Sequence, residues 1–77
     1  MTNEHVLYKV KPRLGEILKE RDIRQTKLAE MAKIPQSAIS RFDKNAQHKD
    51  EHLIAISRAL GITIEELFHV EVKEGGE

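Results

Sequence analysis

Apolar residues recur at helical spacing through the middle of this chain and alternate with polar residues at its two ends. Leu14, Ile17 and Leu18 mark one apolar face, which predicts a first helix. Pro12 suits its first position, where a missing N–H costs nothing. Asp22 falls near its end, and Ile23 is placed to plug the gap before the next helix. Residues 25–32 predict a second short helix with Leu28, Ala29 and Ala32 inward. Residues 33–35 form a tight connection, because the residue before a proline is pushed out of the helical region. Ile39 and Phe42, three apart, give a third helix over residues 36–44 its apolar underside. A polar loop follows at 45–49. Asp50 is placed as N-cap of a fourth helix, with Leu53, Ile56 and Leu60 at spacings of three and four. Gly61 ends it as a left-handed cap. Thr63 and Glu66 have the T-x-x-E spacing of a capping box, which opens a short fifth helix through Leu67.

The ends read differently. Residues 5–11 (HVLYKVK) and 68–73 (FHVEVK) are rich in valine and aromatic residues and partly alternate, as short strands do. Neither strand is stable alone. They pair with each other in one chain or across a dimer; the alternative is a pair of frayed termini. Residues 75–77 read as a disordered stub. The expectation is therefore an all-α, five-helix domain over residues 12–68, with a strand or arm at 1–11 and a strand and tail at 69–77. Leu28, Ile39, Leu53 and Leu60 are expected to be buried where the helices meet.

Seventy-seven residues suit one small domain, which buries only roughly 60% of its unfolded surface. There is no cysteine, so disulfides and thiolate metal sites are excluded. No apolar run approaches a membrane span, and no charged-then-apolar leader opens the sequence. A soluble, cytoplasmic protein is expected. Formal net charge is zero, which by itself speaks weakly against a nucleic-acid binder. Its distribution speaks otherwise. Between residues 24 and 49 six cationic side chains stand against two acids, a local charge of +4. From residue 62 onward one stands against five, a local charge of −4. The chain has a basic middle and an acidic tail, a field with a direction.

Two short helices joined by a tight turn (QTKLAEMA, KIP, QSAISRFDK) have the spacing of a helix-turn-helix, whose second helix enters the DNA major groove. Ala29 allows a close crossing and Ile39 plugs the underside. The outer face of the second helix carries Gln36, Ser37, Ser40 and Arg41 rather than the Glu and Lys of a merely solvated helix.

Residues 13–68 resemble the XRE family, the Cro/C1-type helix-turn-helix domain of phage repressors and small bacterial regulators. The matching positions are Gln25, Leu28, Ala29, Ile34, Ile39, Ser40, Phe42, Leu60, Gly61, Glu66, Leu67 and Phe68. The resembling run, residues 13–68, covers about three-quarters of the chain. Any one of the matching positions is a weak signal, whereas the ordered set is a strong one. There are departures. The family's threonine before the glutamine is Arg24, which trades a capping hydroxyl for a cation. The turn glycine is Lys33, which carries strain if the position keeps a positive φ. The glutamate near the end of the recognition helix is Asp43, and the following glycine is Asn45, which tolerates the left-handed region. The first-helix arginine that pairs with that glutamate is Leu18, so apolar packing replaces an ion pair.

The resemblance implies roles. Gln25 would clamp a backbone phosphate, and Arg24, Lys44, Asn45 and Lys49 would flank the recognition face as further phosphate contacts. Gln36, Ser37, Ser40 and Arg41 would meet base edges. Glutamine can bond adenine N6 and N7, and arginine can take guanine O6 and N7. The function implied is a sequence-specific transcriptional regulator, a repressor acting as a homodimer on a palindromic operator in duplex DNA, associated with the nucleoid. An 8.8 kDa chain leaves little room for an activation domain. The rival is a protein–protein module on the same fold, an antirepressor or antitoxin-like partner. His48 and His52 are four apart, but the first falls in a loop and no third ligand converges, so no metal is expected. No phosphate loop or nucleophile motif is present, so neither an enzyme nor a cofactor is expected.

Overall fold

In the computed structural model, which describes residues 6–74, the alternating ends form one antiparallel ribbon. Strand β1 (Val6–Pro12) pairs with β2 (Phe68–Glu74), with Val6 opposite Glu74, Val10 opposite Val70 and Pro12 opposite Phe68. Between them run α1 (Leu14–Arg21), α2 (Gln25–Ala32), α3 (Gln36–Ser40) and α4 (Asp50–Leu60). His5 and residues 75–77, read above as strand start and stub, lie outside the described residues.

This corrects the expected all-α, five-helix domain: the described residues hold four α-helices and a two-stranded antiparallel sheet. The fifth helix is a single 3-10 turn, Glu65–Leu67. Its capping box does form. Thr63 N–H donates to Glu66 Oε1 at 2.7 Å, and Glu66 N–H donates to Thr63 Oγ1 at 3.2 Å. Phe68 then turns extended, at φ −133° and ψ 152°, and the strand captures the chain before a helix can propagate past its costly nucleus. The Thr63 N–H, and with it the Thr63 hydroxyl at 3.0 Å, donate to the Glu66 carboxylate and hold it below its ordinary value of 4.5. A depressed carboxyl stabilises the fold above its unfolded value, and the contribution is lost as pH falls through the folded one. Between about pH 7 and about pH 3 a Glu66→Gln variant is expected to lose less stability than the parent. Thermal melts at several pH values measure this, and equal losses would contradict the assignment.

The third helix is also shorter than expected. It stops at Ser40, and after Arg41 the chain tightens into a 3-10 turn, Phe42–Lys44. Asn45 is extended, at φ −94° and ψ 139°, not left-handed. The tightening brings Asp43 to the start of α1, where its carboxylate accepts from Leu14 N–H at 2.8 Å and Gly15 N–H at 2.9 Å. Arg13, the residue before α1, supplies no side-chain cap, so Asp43 caps this helix from 28 and 29 residues away. A Cβ on Gly15 would sit 3.0 Å from Asp43 Oδ2, so a side chain there would press on the capping carboxylate. Asp43→Ala is expected to cost about 1–2 kcal/mol of stability, read by urea denaturation. No change would show that the cap is dispensable.

Pro12 does not open α1. It ends β1 opposite Phe68, where a missing N–H is tolerated as well. Asp50 is the first residue of α4 rather than its cap, a place occupied by Lys49. There Asp50 and Glu51 complement the positive end of the helix dipole. Gly61 takes the expected left-handed cap at φ 69°. Asp22 and Lys33 also have positive φ, 56° and 59°, so lysine carries the strain anticipated at the turn glycine.

The core joins Leu14, Ile17, Leu18, Leu28, Ile39, Phe42, Ile56, Leu60 and Leu67. Leu53 packs at its margin, half-buried rather than fully buried. Buried Ser57 donates to the Ile54 carbonyl at 3.0 Å. Two arginines tie the periphery. Arg21 donates to the Leu60 carbonyl at 2.6 Å, and Arg13 to the Glu66 carbonyl at 3.0 Å. Among the described residues no helix is long and apolar enough to cross a membrane.

Candidate nucleic-acid interface

The α2–turn–α3 unit is built by local signals. Lys33 in the left-handed region lets Ile34 N–H return to the Ala29 carbonyl at 3.2 Å, closing α2. Pro35, at φ −63° and ψ 144°, starts α3. Ile39 turns inward, 3% exposed. Its opposite face, with Gln36, Ser37, Ser40 and Arg41, is exposed. Arg24, Gln25, Lys44, Asn45 and Lys49 are exposed too.

Most of these nine side chains fall into two clefts flanking α3. One brings Gln36 together with Arg24 and Gln25, between the starts of α2 and α3. The other brings Ser37 and Arg41 together with Asn45 and Lys49, between α3 and the start of α4. Ser40 and Lys44 line neither. The Ser40 hydroxyl donates back to the Ser37 carbonyl at 3.3 Å, which leaves it acceptor capacity toward a ligand.

The two acids of the basic middle are directed elsewhere. Asp43, between Arg41 and Lys44 in sequence, is spent on α1. Glu30 stands 3.9 Å from Lys27 on the solvated side of α2.

Sequence reasoning missed Thr26, which lines the first cleft, and Gln47 and His52, which line the second. All three lie within two or three residues of predicted phosphate contacts, the signal that was available. It also missed the role of His48. Its ring stacks on Phe42 with centroids 4.0 Å apart, and its Nε2 bonds the Phe42 carbonyl at 2.7 Å, donating in that tautomer. His48 thereby pins the loop 45–49 to the end of the recognition unit. Among the described residues no group of three or more His, Cys, Asp or Glu is placed to hold a metal.

Comparison with curated proteins and with solved structures returns no match. The family model for the Cro/C1-type helix-turn-helix DNA-binding domain matches residues 13–73, from the residue before α1 to the penultimate residue of β2. It therefore covers the four helices and both clefts, and this chain belongs to the Cro/C1-type helix-turn-helix DNA-binding domain family.

Proposed function

We propose that the chain is a sequence-specific transcriptional regulator that acts as a repressor, binding as a homodimer to a palindromic operator in duplex DNA. The observation that carries this is the outward face of α3, where Gln36, Ser37, Ser40 and Arg41 are exposed while the neighbouring acid is turned away. Gln36 and Arg41 are the base readers, by bidentate bonds to adenine and guanine, and the serines adapt to either partner. Arg24, Gln25, Lys44, Asn45 and Lys49 hold phosphates on the two sides and set the register of α3 in the groove. Repression needs only occupancy of a site, which this domain supplies. No cofactor enters this reading, and it places the protein with the DNA of the nucleoid in the cytoplasm.

A gel shift of duplex DNA across a salt series tests it. With Arg24, Lys44 and Lys49 as cationic phosphate contacts, the log–log salt slope should be about −3 per protomer. Gln25→Ala and Lys44→Ala should weaken all sequences alike, and Lys44→Ala should flatten the slope by about 1. A chain that shifts no duplex even at low salt would favour the protein–protein module instead.

A further inference from the structure

The ribbon projects from the helices. Residues 7–11 and 69–73 are exposed on both of its faces. The radius of gyration is 14.3 Å, against about 11.5 Å for a compact chain of this length. The register sorts the side chains by face. Leu7, Lys9 and Lys11 stand opposite Lys73, Glu71 and His69 on one side, where His69 also meets Glu16 at 3.0 Å. On the other, Tyr8 stands opposite Val72, Val10 opposite Val70, and Pro12 opposite Phe68. This second face runs out of the core, since Phe68 packs near Phe42 and His48 at 5.8 Å. Its outer part is bare: Tyr8 is 60% exposed, Val10 55%, Val70 38% and Val72 60%.

We propose that this bare face is where two copies of the chain join, ribbon packed on ribbon about a twofold axis. The proposal rests on the two-half-site reading above. A second copy fits for three reasons. From Tyr8 to Phe68 the face carries no charge, and the chain's formal net charge is zero, so a self-complementary contact meets no like-charge penalty. Sheets stack face to face by burying such apolar rows, whereas Lys9, Lys11 and Lys73 along the strands discourage edge pairing. The size also suits a second copy held jointly by DNA. A buried aromatic contributes about 150–250 Å², so Tyr8 and three partly exposed valines offer on the order of 400 Å² per copy. That is half of the ~800 Å² per partner of a standard interface. The free dimer is therefore weak, and the operator, holding two recognition helices roughly 34 Å apart, completes it.

Sedimentation equilibrium of the full chain tests this without DNA. Measured up to about 1 mM chain, the parent should self-associate with a dissociation constant between about 1 μM and about 1 mM. Val72→Lys should weaken association by at least roughly tenfold, with the helical circular dichroism unchanged. Tyr8→Glu should do the same, and an equimolar mixture of the two variants should recover association through opposite charges. Leu7→Lys, an equally exposed position on the other face, should leave it unaltered. A parent that stays monomeric throughout would overturn the proposal, as would a Val72→Lys chain that associates like the parent or a Leu7→Lys chain that loses association. Failures are separable: a parent that associates but shifts no duplex removes the DNA reading alone, and one that shifts duplex but never associates removes the interface alone.

Discussion

Phe42→Ala is expected to cost about 3–5 kcal/mol of stability, the largest loss from any single truncation in this chain. Phe42 is 1% exposed and sits where the ribbon, the recognition unit and the loop 45–49 meet. Its ring stacks on His48 and lies 5.8 Å from Phe68, while its carbonyl receives the His48 ring nitrogen. Removing the ring opens a cavity and releases two aromatic neighbours together, and the surroundings cannot collapse to fill it without moving β2. A domain of this size holds roughly 4–11 kcal/mol in total, so much of the population should unfold at physiological temperature. Urea denaturation followed by circular dichroism measures the change. A loss below about 1 kcal/mol would mean that the junction is not packed as described. Ile39→Ala, within the same core, should cost about 2–5 kcal/mol.

Arg41→Ala and Gln36→Ala should leave the melting temperature near that of the parent, because both side chains face solvent. Each should cost about 1–3 kcal/mol against the preferred duplex and relax specificity at one base pair. The two side chains lie in different clefts, so their effects should be nearly additive. The contrast with Lys44→Ala decides the assignment. A phosphate contact lowers affinity for every sequence, whereas a base contact lowers it for one. If Arg41→Ala weakened specific and scrambled duplexes equally, Arg41 would be a phosphate contact and the reading head would narrow to the start of α3.

The parts of the fold that could be read in advance are those written in local periodicity. Leu14, Ile17 and Leu18 placed α1; Leu28 placed α2; Ile56, Leu60 and Gly61 placed α4 and its end. The family pattern added the strain at Lys33, since nothing in a lysine announces a positive φ. What could not be read is contact between distant segments. Asp43 looked like an ordinary recognition-helix acid, yet it caps α1, and that long-range bond accompanies the early end of α3. Thr63 and Glu66 formed the hydrogen bonds of a capping box, but no fifth helix followed, because the strand that begins at Phe68 takes the chain after a single 3-10 turn. Pro12 satisfied a helix start and a strand end equally well, so local chemistry could not choose between them. The alternation at the ends predicted strands, but whether they pair within a chain or between chains is a question of topology. Of the candidate site, the exposure of Gln25, Gln36, Ser37 and Ser40 followed from helix phase, and that of Arg24, Asn45 and Lys49 from their polar cap and loop positions. Their sorting into two clefts, and the presence of Thr26, Gln47 and His52 beside them, needed the loop pinned by His48.

Whether the exposed face of α3 reads base sequence is decided by a specificity ratio. A duplex is selected by the parent from a random library, and its affinity is compared at one fixed salt concentration with that of a scrambled duplex of the same composition. A base-reading α3 should prefer the selected duplex by about a thousandfold or more, and this preference should fall by about ten- to a hundredfold in Arg41→Ala. A ratio near one, or a preference that survives Gln36→Ala and Arg41→Ala together, would contradict base reading by α3.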